Sequence, residues 1–162
     1  MTVLYRVRQF VRTVSGPRTP PDLGDLGALL TAEQQTLFAT LAVVDQRHSL
    51  AVARALAAQG QTDADLLRAA LMHDIGKSLG HIAIWERVAH VLLMRCAPRQ
   101  VGRVGSARKD GPGHGLYLLA HQAELGAQTA AQAGFSPEVV ALVRGDGDAR
   151  RQQALREADD MH

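Results

Sequence analysis

The stretch LMHDIGKSLG, residues 71–80, passes from an apolar run to a histidine–aspartate pair and then to glycine and lysine. The preceding LLRAALMHD has the character of a helix whose apolar side enters a core. An aspartate following such a run is costly to bury unless it is paired or bound to a cation. His73 and Asp74 are adjacent, however, and neighbours on a helix point about 100° apart. They share a ligand only if it lies between those two directions. The zinc spacing of two histidines four residues apart is absent. The pair alone is compatible with a buried helix end or with a metal site.

Helical signals continue in both directions along the chain. Upstream, Thr31 and Gln34 form a capping box for a short helix through about Thr40. A longer helix is expected from Asp45 to Gln59 with Gly60 as its stop, and Thr62 is placed to cap the next one. Downstream, a helix is expected over roughly 82–96, ending before Pro98, and residues 98–113 read as a basic glycine-rich loop. GPGHG at 111–115 reads as a turn. A further helix runs from about Leu116 to Ala133 and stops at Gly134. Ser136-Pro137-Glu138 then supplies an N-cap, a first-turn proline and a first-turn acid. A last helix carries ALREADD to about Asp160. No stretch alternates as a strand, so the fold class is all-α with short connections.

Composition agrees with a single globular domain. Hydrophobic residues make up 46% of the 162 residues and charged residues 21%, which excludes disorder. A formal charge of +2 is too small to imply nucleic-acid binding. The lone cysteine, Cys96, rules out a disulfide framework and a thiolate zinc cluster. Neither a secretory signal nor an apolar run of about 18 residues is evident, so a soluble cytoplasmic protein is the expectation. Val3, Leu4, Val7, Phe10, Val11 and Val14 stand at helical spacing, with arginines opposite. That segment reads as a helix packed on the body, and contact with a membrane surface is the alternative. SGPRTPPD, residues 15–22, is a linker.

Two more residues are of note. His48, in RHSLAVARAL, is by itself an ordinary partly buried histidine. Asp159 lies late in a helix, where a carboxylate opposes the macrodipole. A divalent cation would stabilise Asp74 and Asp159 alike.

RHSLAVARAL, ALMHDIGK and LREADD together resemble the HD superfamily of metal-dependent phosphohydrolases, whose signature is His…HisAsp…Asp spread over helices. The resemblance covers roughly residues 41–160. It implies an HD-domain-like helical bundle over residues 41–162, with residues 1–40 as an N-terminal helical extension and linker. It further implies that His48, His73, Asp74 and Asp159 bind one divalent metal. Two imidazoles and two carboxylates suit Mn, Fe, Co, Ni or Mg, and zinc less well. HQAELGA, residues 121–127, is similar to a second region of the family, in which His121 matches a histidine that joins a second metal or contacts phosphate. Glu124 and Gly126 match its companions. The chain departs from the two-metal subgroup after the next helix, where Arg144-Gly145-Asp146 replaces paired histidines; Asp146 is a candidate substitute oxygen ligand, but the expectation is that a second metal site is absent or weak.

The function implied is hydrolysis of a nucleotide or other small phosphate ester. A divalent cation lowers the pKa of bound water to about 7, supplying a nucleophile, and neutralises a phosphoryl oxygen. Asp74 is the candidate to take the proton from that water. Lys77 is either a contact to the substrate phosphate or a surface lysine near a helix end. Arg47, beside His48, either contacts phosphate or pairs with an acid, and His121 either orients water or leaving group or is structural. The alternative is a non-catalytic HD domain that senses a nucleotide or docks a partner.

Overall fold

The computed structural model describes residues 19–101, 103, 111 and 113–162. The segment expected as a helix at residues 3–14, and its membrane alternative, lie outside these residues, as does most of the basic loop. The α-helices whose bounds lie among the described residues are, in order, α1 (Ala32–Ala39), α2 (Val43–Ala58), α3 (Ala64–Met72), α4 (Ile84–Cys96), α5 (His114–Gln132), α6 (Pro137–Arg144) and α7 (Ala149–Met161). Single 3-10 segments occupy Gly24–Leu29, Ile75–Leu79 and Pro98–Gln100, and no strand occurs among the described residues. None of the described helices is long and apolar enough to cross a membrane.

The caps explain where the helices begin. Thr31 Oγ1 accepts from Gln34 N at 3.2 Å and Gln34 Oε1 accepts from Thr31 N at 3.1 Å, so the capping box is complete. Ser136 Oγ accepts from Val139 N at 3.2 Å, with Pro137 opening α6. The cap of α3 is Asp63 rather than Thr62: its carboxylate accepts from Asp65 N and Leu66 N at 3.0 and 3.2 Å. The charged acceptor at the helix dipole's positive end outcompetes the hydroxyl one residue earlier. Helix α2 starts two residues before the expected Asp45, from an Ala42 that offers no side-chain cap.

Helix α3 is the centre of the domain. Leu66, Leu67, Ala69, Ala70, Leu71 and Met72 are all buried, as for a helix covered on nearly every side. Helices α2, α6 and α7 pack around it. Leu30, Phe38 and Leu41 belong to the same core cluster, with Leu23, Leu26 and Leu29 packed against it, so the chain joins the core well before α2. A smaller cluster of Ile82, Leu118 and Leu119 seats the α4–α5 side. There Glu86 accepts from Ala83 N at 2.7 Å and from Gly115 N at 3.0 Å, tying the start of α4 to the start of α5.

Helix α5 lies directly on the Ile75–Leu79 turn, and glycine permits that approach. A Cβ on Gly76 would overlap the carbonyl oxygen of Gln122. Gly126, one turn further along α5, faces Gly76 N, Ile75 and Val143. Gly76→Ala is therefore expected to destabilise the fold by about 1–3 kcal/mol, because a backbone carbonyl cannot swing aside as a side chain can. Thermal unfolding checks this, and an unchanged midpoint would show that the turn and α5 separate freely.

Candidate metal centre

Helix α3 ends at Met72, His73 is its C-cap, and Asp74 opens the next 3-10 turn with φ −98° and ψ 3°. The pair thus straddles a junction, where the sequence reading had placed both residues on one helix. The change of helix type re-aims the second side chain, and His73 Nε2 comes 3.6 Å from Asp74 Oδ2. Asp74 is 2% exposed. Helix α2 brings His48, whose ring centroid is 5.3 Å from that of His73. Donor atoms of His48, His73 and Asp74 all lie within 4.8 Å of one another, and these three residues could hold a metal ion. Helix α7 adds Asp159, with Oδ1 2.8 Å from His48 Nε2 and 3.6 Å from His73 Nε2.

The donor set passes a chemical test for a cation. His73 Nδ1 donates to Ala70 O at 2.9 Å, which leaves Nε2 as the lone-pair nitrogen of the neutral ring. That Nε2 is buried and makes no hydrogen bond. Both neighbouring carboxylates stand at 3.6 Å, beyond hydrogen-bond length. A buried orphan nitrogen flanked by two acids and an imidazole fits the role of a metal-ligating histidine.

The electrostatics follow from the same distances. Burial favours the neutral form of His73, but the charges of Asp74 and Asp159 outweigh it and hold the imidazole above its usual 6.5. Burial would raise Asp74, yet Lys77 and the two histidines bring it down to about 2. Partial desolvation would raise Asp159, which is 46% exposed, yet its contacts to His48 and His73 hold it well below the ordinary carboxylate range.

Lys77 Nζ donates to Asp74 Oδ2 at 2.6 Å, so the lysine stands at the centre and is not a loose surface residue. Two residues that sequence reading missed stand behind it. Asp45, buried on α2, accepts both guanidinium nitrogens of Arg87 at 2.7 and 2.6 Å and lies 3.9 Å from Lys77 Nζ. Asp45 shares a helix face with His48, three residues on, a signal that was available; Arg87, on α4, carries no local one.

Comparisons of the chain with protein-family models, with curated proteins and with solved structures returned no match. The geometry therefore carries the site by itself, and it does not gather every expected residue. Arg47 is turned away to Thr19, its Nη2 donating to the carbonyl at 2.7 Å. His121 packs its ring on Tyr117, centroids 4.6 Å apart, in a row with His114 along α5. Glu124 pairs on the surface with Arg144 at 3.0 Å, and Asp146 lies 3.9 Å from the same arginine. Those two acids form a surface cluster around Arg144.

Proposed function

We propose that this chain is a divalent-metal-dependent phosphohydrolase acting on a nucleotide or another small phosphate ester. The observation that carries the reading is the orphaned His73 Nε2, buried between two carboxylates with His48 alongside. His48, His73, Asp74 and Asp159 would hold the ion, which supplies positive charge at a phosphoryl oxygen and acidifies a water molecule.

Charge balance favours an anionic substrate. Three carboxylates (Asp45, Asp74 and Asp159) stand against two cations (Lys77 and Arg87), leaving the cluster one negative charge with neutral histidines. A dication makes that balance positive by one, which suits a phosphate ester and disfavours a neutral substrate. Lys77 directs an ammonium to the edge of the centre, where it can meet a phosphate oxygen. Asp74, kept ionised by its neighbours, is a proton acceptor within the same few ångströms. The similarity of RHSLAVARAL, ALMHDIGK and LREADD to the HD superfamily points the same way.

The alternative, a non-catalytic sensing or docking module, draws on one observation: Lys77 and Arg87 are each engaged by carboxylates. A panel of nucleotides and small phosphate esters, assayed with Mn²⁺, Co²⁺, Ni²⁺ and Mg²⁺, separates the two. Metal-dependent release of phosphate supports the hydrolase. Binding of a nucleotide without turnover under every metal would support the module.

A further inference from the structure

Asp45 is 4% exposed and has two claimants. Arg87 takes both of its oxygens in a fork, while Lys77 stands 3.9 Å from Oδ1 and gives its short bond, 2.6 Å, to Asp74. A planar guanidinium matched to a carboxylate by two bonds outcompetes a single ammonium. The residue type at 77 is itself informative. Sixteen of the eighteen basic residues are arginine, so the lysine here runs against the chain's own usage. An ammonium makes a compact point contact, whereas a guanidinium at 77 would compete for the fork that Asp45 offers.

We propose that Arg87 is a positioning residue for Lys77: by occupying both oxygens of Asp45, it leaves the Lys77 ammonium directed at Asp74 and the metal centre. The consequence for substrate phosphate rests on the hydrolase reading; the placement of Lys77 does not. Without Arg87, the buried Asp45 carboxylate has Lys77 as its close cation, and the ammonium is drawn between two acids. Removing Asp45 and Arg87 together abolishes that competition and returns Lys77 to Asp74. A purely structural Arg87 would show no such recovery.

The test uses the metal-free full chain labelled at lysine Cε and Nζ. The chain has only Lys77 and Lys109, so Lys109→Arg isolates the Lys77 ammonium signal in NMR spectra. Arg87→Gln is expected to shift that signal and slow its exchange with water about tenfold, the gain of a second charged hydrogen bond, to Asp45. The double variant Asp45→Asn/Arg87→Gln is expected to restore both. A Lys77 signal identical in all three proteins, or displaced equally in both variants, overturns the proposal. Should Arg87→Gln not fold, Arg87→Lys keeps the charge and one of the two bonds, and the added signal is told apart by its persistence in Arg87→Lys/Lys77→Arg. It must displace the Lys77 signal from its wild-type position, and an unmoved signal overturns the proposal equally. If the NMR pattern holds and no phosphate ester is turned over, the hydrolase reading fails while the positioning role stands. Turnover with a Lys77 signal indifferent to residue 87 removes the positioning role and leaves the hydrolase reading intact.

Discussion

His73→Ala is expected to abolish metal-dependent stabilisation while leaving the metal-free fold standing. In the wild type, free Mn²⁺ at 100 times its dissociation constant adds about 2.7 kcal/mol, a rise of roughly 5–10 °C in Tm for a chain of this size. Removing an outer partner of a ligand already weakens metal binding by ~10–100-fold, and removing a ligand itself should exceed that. The variant should therefore show no Mn²⁺-induced rise at the same concentration, and phosphate release should fall to background. The metal-free protein loses the bond from Nδ1 to Ala70, but it is also relieved of a buried nitrogen without a partner, and these effects oppose each other. Calorimetry with and without Mn²⁺ checks both halves. A variant that keeps its full Mn²⁺ response would show that the ion binds elsewhere.

The loss of stability as pH rises above about 6.5 is expected to disappear when the metal is added. His73 has a raised pKa in the folded, metal-free protein. Its protonated form therefore contributes stability that is fully present below its unfolded value of about 6.5 and is lost as pH rises through the folded value. Asp74 and Asp159 are depressed, so their contribution is present above the unfolded value near 3.8 and is lost as pH falls through their folded values, about 2 for Asp74. Metal-free protein should thus be most stable between about pH 4 and 6.5, as far as these groups decide it. Metal binding requires the neutral imidazole, so Mn²⁺ must displace the His73 proton and binds more tightly as pH rises. The gap in stability between loaded and metal-free protein should widen from pH 6 upward, by about 1.4 kcal/mol per pH unit for each proton released. Parallel unfolding curves at pH 6, 7 and 8 measure the gap. One that stays constant would remove His73 from the metal's coordination.

The helices were legible because their ends are chemical. The Thr31–Gln34 box and the Ser136–Pro137 start are local patterns, and the structure carries both. Where the local pattern was ambiguous the reading slipped by a residue or two. Thr62 and Asp63 are both capping types, and the carboxylate won. The start of α2 has no cap to read. At the site, the spacing of His48, His73, Asp74 and Asp159 was visible only through a family pattern. Their convergence depends on α2, α3 and α7 meeting in three dimensions, which no local signal encodes. Arg47 was expected at the centre because it adjoins His48, but one residue along a helix is a turn of about 100°, and the side chain serves Thr19 instead. Asp45, one helical turn from His48, was the residue that rotation brings to the same side. Arg87 was out of reach of sequence reasoning, since its pairing with Asp45 spans 42 residues and two helices.

The central claim is that α2, the junction after α3 and α7 deliver His48, His73, Asp74 and Asp159 to one cation. Crystals grown with Mn²⁺, with data collected on both sides of the manganese absorption edge, test it directly. The account predicts an anomalous peak bounded by His73 Nε2, His48, Asp74 and Asp159. Crystals saturated with Mn²⁺ that show no peak among these four side chains, or place the ion beside Asp146 and Glu124 instead, would contradict it.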